Sequence, residues 1–183
     1  MTPRAAAGPL RRLVVLRHAK SAWPAGVPDH ERPLAPRGRR DAPAAGRALA
    51  SADWLPDLAL CSTAVRARQT WELAAEQWGT PPPVRFDRRL YGADASELLA
   101  AVRAVPERVR TLLLIGHNPG IEDLILDLAG DDLDDTLVQV RTKFPTAAVA
   151  VLAWHGGSWQ ELAPSGALLT DVTVPRGKRG KKT

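Results

Sequence analysis

Two histidines and two arginines carry most of the chemistry this sequence can perform. Arg17-His18 directly follows the apolar run 13–16, and Gly116-His117 directly follows the run 112–115. Arg66 lies a few residues beyond a third run, 58–60. A neutral imidazole is a competent nucleophile, and nearby guanidinium groups keep it neutral by disfavouring imidazolium. Guanidinium forks grip phosphate oxygens in bidentate fashion and spread the charge of a transferring phosphoryl group. A second histidine, if protonated, adds a further donor at the same oxygens. Gly120 and the helix start that follows it can add backbone N–H groups or field. These residue types point to phosphoryl transfer through a histidine, provided that the fold brings them to one rim.

The elements that must position them are legible as alternating patterns. The runs 13–16, 58–60 and 112–115 read as buried strands. A helix is predicted over 37–50, kinked or broken at Pro43. A second spans 64–78, after Ser62 or Thr63 as cap, and stops at Gly79. A third spans 94–105, opened by Asp94 and Glu97 as a capping box. A fourth, 121–129, closes at Gly130. Later, 147–153 and 159–162 flank His155-Gly156-Gly157-Ser158 and read as an antiparallel hairpin. Strands alternating with helices predict an α/β fold, a three-layer α/β/α sandwich around a mainly parallel sheet. Ligands bind such sheets outside the carboxyl ends of the strands, which is where His18, Arg66 and His117 fall.

Composition narrows the class. The chain has 183 residues, 45% hydrophobic and 25% charged, the balance of a globular protein. No repeat or linker divides it, so one domain is expected over 1–174, followed by a basic tail, 175–183. The tail residues Arg176, Lys178, Arg179, Lys181 and Lys182 equal the whole net charge of +5, so the body is neutral. Such a terminus reads as a solvated, disordered end rather than a nucleic-acid anchor, and no specific nucleic-acid partner is expected. No apolar run approaches the ~18 residues of a bilayer span, and 13–16 is too short for a signal core. A cytoplasmic protein without a membrane partner is the expectation. The single cysteine, Cys61, excludes an internal disulfide or a multi-cysteine metal cage. The stretch from Cys61 to Arg66 lacks the glycines of a cysteine-phosphatase loop, and Cys61 reads as a small buried residue. A GxxxxGK[ST] nucleotide loop is absent.

Arg17-His18-Ala19-Lys20-Ser21 resembles the RHG/RHA signature of the histidine phosphatase superfamily, whose fold is phosphoglycerate mutase-like. The stretch from Ser62 to Thr70 is similar to its second-arginine motif, and Gly116-His117-Asn118-Pro119-Gly120 to its second-histidine motif. Asp29-His30-Glu31-Arg32-Pro33-Leu34, Leu90-Tyr91-Gly92-Ala93 and Lys143-Phe144-Pro145-Thr146 resemble the phosphohistidine phosphatase SixA branch. The resemblance implies His18 as the transiently phosphorylated nucleophile, Arg17 and Arg66 as phosphate-binding arginines, and His117 as the second pocket histidine. It implies no metal and no organic cofactor.

Some positions depart from the wider family. Lys20 and Ser21 stand where many mutase-type members have an acid, and Lys20 either reaches phosphate or faces solvent. Asn118 replaces the Asp proton donor of the acid phosphatase branch. Ala35 stands where relatives often carry Thr, which removes a cap oxygen. The mutase-type general-acid glutamate has no match; Asp87, Asp94 and Glu97 lie in the right region without a motif. His30 and His155 read as loop surface residues, Arg68 as an exposed helical arginine, and Trp71 with Trp78 as core.

A leaving imidazole needs less protonation than an alkoxide. The expected function is therefore hydrolysis of phosphohistidine in proteins through a phosphohistidine intermediate. A small-molecule phosphomonoesterase of the same superfamily and a catalytically weak phospho-ligand binding module are the alternatives. Nothing in the sequence fixes an oligomeric state.

Overall fold

Leu13, Val14, Val15 and Leu16 are all fully buried, yet neighbours face opposite ways. Leu13 and Val15 belong to one core cluster, Val14 and Leu16 to another. That alternation is the signature of a strand covered on both faces. The computed structural model describes residues 8–130 and 135–179. In it this run is the centre of β1 (Leu10–Arg17). There follow α1 (Pro36–Ser51), β2 (Leu58–Ser62), α2 (Val65–Ala75) and β3 (Val84–Asp87). Then come α3 (Ala95–Arg103), β4 (Thr111–Gly116), α4 (Gly120–Ala129) and α5 (Asp135–Thr142). The last strands are β5 (Val149–His155) and β6 (Leu168–Thr173).

The strands form one sheet in the order β3-β2-β4-β1-β5-β6. β1, β2, β3 and β4 are parallel, while β5 runs antiparallel to β1 and β6 antiparallel to β5. Leu49 of α1 and Trp71 of α2 cover one face; Leu98, Leu124 and Leu137 of α3, α4 and α5 cover the other. The expected α/β/α sandwich with a mainly parallel sheet is what the chain adopts. Leu113 of β4 is fully buried between these layers. Truncation of such a leucine to alanine costs about 2–5 kcal/mol.

Several expectations are corrected by packing. Helix α1 runs through Pro43 without a break. Pro43 sits on the partly exposed side, and the carbonyl it leaves without a helical donor belongs to exposed Arg39. Residues 159–161 form a 3-10 turn rather than a strand. Trp159 is fully buried, its indole N–H donates to the Val109 carbonyl at 2.8 Å, and its ring meets Trp154 edge-on at 4.8 Å. Turning inward buries this ring, and the partner of β5 is the later β6. Helix α2 is shorter than predicted and begins after Ala64, with no side-chain cap. Helix α1 likewise has an uncapped Ala35 before Pro36. The capping box is present as predicted: Asp94 accepts from the Glu97 N–H at 2.9 Å and Glu97 from the Asp94 N–H at 3.0 Å. Among the described residues no helix is long and apolar enough to cross a membrane.

The basic tail departs from the expected disordered end where it begins. Arg176 and the Gly177 N–H each donate to the Asp41 carboxylate at 3.0 Å, which fastens this stretch to α1. The expectation for 180–183 lies outside the described residues.

Candidate active site

Parallel strands end on the same side of a sheet, so the loops after β1, β2 and β4 share one rim. Arg17 is the register partner of Gly116, and Cys61 that of Ile115. This brings Arg17, His18, Arg66 and His117 together. The His18 and His117 rings lie 5.1 Å apart between centroids.

His18 is 7% exposed. Its Nδ1 is 2.8 Å from the Ala19 carbonyl oxygen. A carbonyl only accepts, so Nδ1 carries the proton and Nε2 keeps its lone pair. The loop that makes this bond is itself held. The Ala19 N–H donates to Thr70 Oγ1 at 3.0 Å, and that hydroxyl donates to the Arg66 carbonyl at 2.7 Å. Burial lowers the His18 pKa to about 3, with His117 and then Arg66 and Arg17 disfavouring a second positive charge. The ring is neutral at pH 7.

His117 places Nε2 2.7 Å from Ser62 Oγ. Ser62 Oγ also accepts from the Ala64 N–H at 3.3 Å, so its own proton is available to His117. Nδ1 of His117 is buried and has no partner among the described residues. Burial first, and Arg66 next, lower the His117 pKa to about 4. His117 is therefore neutral rather than imidazolium, because burial and then the positive charge of Arg66 and Arg17 disfavour a further cation.

The arginines are held by backbone. Arg17 Nη1 donates to the Phe144 carbonyl at 2.9 Å, and its buried Nε has no partner among the described residues. The Asn118 amide donates to the same carbonyl at 3.0 Å and to Glu122 at 2.8 Å. Phe144 thereby ties the end of β1 to the end of β4. Arg66 is 6% exposed and donates to the Asp29 carbonyl at 2.7 Å and the Asp29 carboxylate at 3.1 Å.

Other expected residues fall elsewhere. Lys20 is exposed, and Arg68 is exposed with its guanidinium over Phe86 at 5.3 Å. Asp87 is held by Arg89, at 2.7 Å for the closest contact, and that bond holds its carboxyl below the usual range. Asp94 and Glu97 spend their carboxylates on the start of α3, and the Glu97 backbone N–H lowers the Asp94 pKa. Asp87 and Asp94 are thus held as carboxylates, and a proton donor needs the opposite. Cys61 is fully buried, which pushes its thiol pKa up. Trp71 and Trp78 are both core, meeting edge-on at 5.7 Å. His155 is exposed, as expected.

Three residues escape the sequence reading. Asp29 binds Arg66, Arg32 at 2.7 Å and the Tyr91 hydroxyl at 2.6 Å, and these donors hold its carboxyl well below the usual range. Tyr91 meets His117 edge-on at 5.6 Å. His30, expected at the surface, has only 19% of its side chain exposed. It lies 2.9 Å from Thr63 Oγ1 and meets Tyr91 edge-on at 4.8 Å. Asp29, His30 and Tyr91 all stand within the SixA-like motifs, which was the available signal. Among the described residues no three His, Cys, Asp or Glu side chains converge as a metal site.

Residues 13–98 match the model of the histidine phosphatase superfamily (branch 1). An uncharacterized protein of Mycobacterium tuberculosis is 42% identical over 163 residues, which cover 88% of this chain and 100% of that protein. A candidate phosphohistidine phosphatase SixA from Nakamurella multipartitia superposes with a TM-score of 0.82 at 36% identity, covering 92% of this chain and 98% of that one. Its counterpart from Agrobacterium tumefaciens gives 0.75 at 30% identity, covering 90% and 99%. Sequence family, full-length relatives and fold agree, and the chain belongs to branch 1 of the histidine phosphatase superfamily, among proteins of the SixA type.

Proposed function

We propose that the protein is a phosphohistidine phosphatase acting on phosphorylated proteins, with His18 as nucleophile. The observation that carries the reading is the state of His18: buried, neutral, and with Nε2 left as the lone-pair nitrogen by the Ala19 bond. Nε2 attacks phosphorus as the bond to the substrate nitrogen breaks, and a substrate ring already protonated at its other nitrogen leaves as neutral imidazole. Arg17, Arg66 and His117, whose Nδ1 carries a proton when Ser62 donates to Nε2, receive the phosphoryl oxygens and spread their charge. Water then attacks phosphorus, the bond to Nε2 breaks, and phosphate leaves. Arrival of a phosphate dianion favours protonation of His117, so the ring becomes a stronger donor when substrate is bound.

The substrate class follows from the carboxylates. Asp87 and Asp94 are held ionised by their partners, and Glu97 is committed to the α3 cap. None of these three carboxylates is placed to give a proton, and that suits a leaving imidazole better than an alkoxide. We also propose that neither metal nor cofactor takes part. The test is a kinetic series at one pH, with and without EDTA, across a phosphohistidine peptide, a sugar phosphate and a nucleotide. The phosphohistidine peptide is expected to give the highest kcat/KM, unchanged by EDTA. A sugar phosphate outrunning it would make the protein a small-molecule phosphomonoesterase, and binding without turnover of any substrate would make it a phospho-ligand module.

A further inference from the structure

The C-terminal segment is built into the surface beside α1. Asp41 is 2% exposed and spends both carboxylate oxygens there. The Gly177 N–H donates to Oδ1 at 3.0 Å, while Arg176 and Arg37 donate to Oδ2 at 3.0 and 3.2 Å. Gly177 lies so close to the Arg40 backbone that a Cβ there would overlap it. Arg176 also donates to the Thr146 carbonyl at 2.9 Å. The next residue, Ala147, donates its N–H to the carbonyls of Arg17 and His18 at 3.1 and 3.2 Å. The docked segment therefore joins the rim of the candidate active site through one short piece of backbone.

Between this segment and α1 lies a groove of about 760 Å³. Arg40, Arg47, Arg176 and Lys178 line it, with small residues such as Pro43 and Ala48 between them, and no carboxylate is among its lining residues. Among the described residues neither Arg40 nor Lys178 has a carboxylate partner. Arg176 is paired with Asp41, so the unneutralised charge of the groove is that of Arg40, Arg47 and Lys178, which raises the local potential, attracts acidic partners and speeds their encounter. The groove has no aromatic side chain on which a nucleobase could stack. We propose that this groove docks an acidic segment of the phosphoprotein substrate and so delivers its phosphohistidine to His18. The proposal rests on the phosphohistidine reading above.

The test uses two phosphohistidine peptides of equal length, one flanked by Asp and Glu and one by Ser and Gln, with free phosphohistidine as control. The full chain is expected to favour the acidic peptide by about tenfold in kcat/KM at low salt, with the gain in KM and its loss at high salt. The Arg40→Glu/Lys178→Glu double variant is expected to lose this preference while hydrolysing free phosphohistidine at the wild-type rate. Equal kcat/KM for the two peptides, or a preference that survives the double variant, overturns the proposal. If no phosphohistidine substrate is turned over, the reading of the reaction fails, and the groove is judged by binding alone. Fluorescence anisotropy of the unphosphorylated acidic peptide is then expected to show salt-sensitive binding that the double variant loses. Absence of that binding overturns the proposal, and so does tighter binding of a DNA duplex of matched charge.

Discussion

Arg66 and Arg68 sit two residues apart on α2, yet one is buried against Asp29 and the other is exposed beside Phe86. A helix turns about 100° per residue, so the two side chains face different ways. Arg66→Ala and His117→Ala are each expected to lower kcat/KM by at least ~10²-fold, the scale for losing one preorganised donor. Arg68→Ala is expected to leave it within about threefold, since that side chain meets no group of the site. Steady-state kinetics of the three variants check this, and equal losses at Arg66 and Arg68 would break the assignment within α2. Arg17, His18, Arg66 and His117 were legible in the sequence because each stands in a recognisable motif just after an apolar run. Asp29 was not, because its work is done on Arg66, 37 positions away, and on Tyr91, 62 positions away. Such a hub exists only once the chain is folded.

At the scale of elements, the three carboxylates that the sequence offered as proton donors have structural employment. Asp94 and Glu97 close the capping box of α3, and Asp87 caps the turn after β3 while gripping Arg89. Asp94→Ala is expected to lower stability measurably, as loss of an N-cap does. The same variant should keep phosphohistidine hydrolysis within about tenfold, below the usual contribution of a general acid. Denaturant unfolding and turnover, measured on one preparation, separate the two roles. Collapse of turnover with unchanged stability would make Asp94 the missing proton donor. The capping box was readable because it is local. The central strands were readable because burial on both faces makes them continuous apolar runs. Strand β3 was not: it is an edge strand with Arg85 and Phe86 exposed, following three prolines. Helix α5 was not read either, since Thr136, Val138 and Val140 alternate like a strand, and burial of Leu137 and Val140 against the core makes it helical. Residues 159–162 failed for the converse reason, because a buried tryptophan fits a strand pattern and a turn equally well.

For the whole molecule, the two histidines tie stability to pH. Their pKa values are held at about 3 and about 4 in the fold. In the unfolded chain each returns to ~6.5. Between those limits the unfolded state binds more protons, so stability falls as pH drops through ~6.5. Tm is expected to decline from pH 7 to pH 5, and less steeply in His18→Gln; equal slopes would contradict the buried neutral state of His18. The central claim is that this neutral ring becomes phosphorylated, and rapid-quench labelling with a ³²P-phosphohistidine peptide tests it most directly. The account predicts a covalent label on His18, acid-labile and alkali-stable as a phosphorus–nitrogen bond should be, and none in His18→Ala, which also loses turnover. Undiminished turnover in His18→Ala, or a label mapping to another residue, would contradict it.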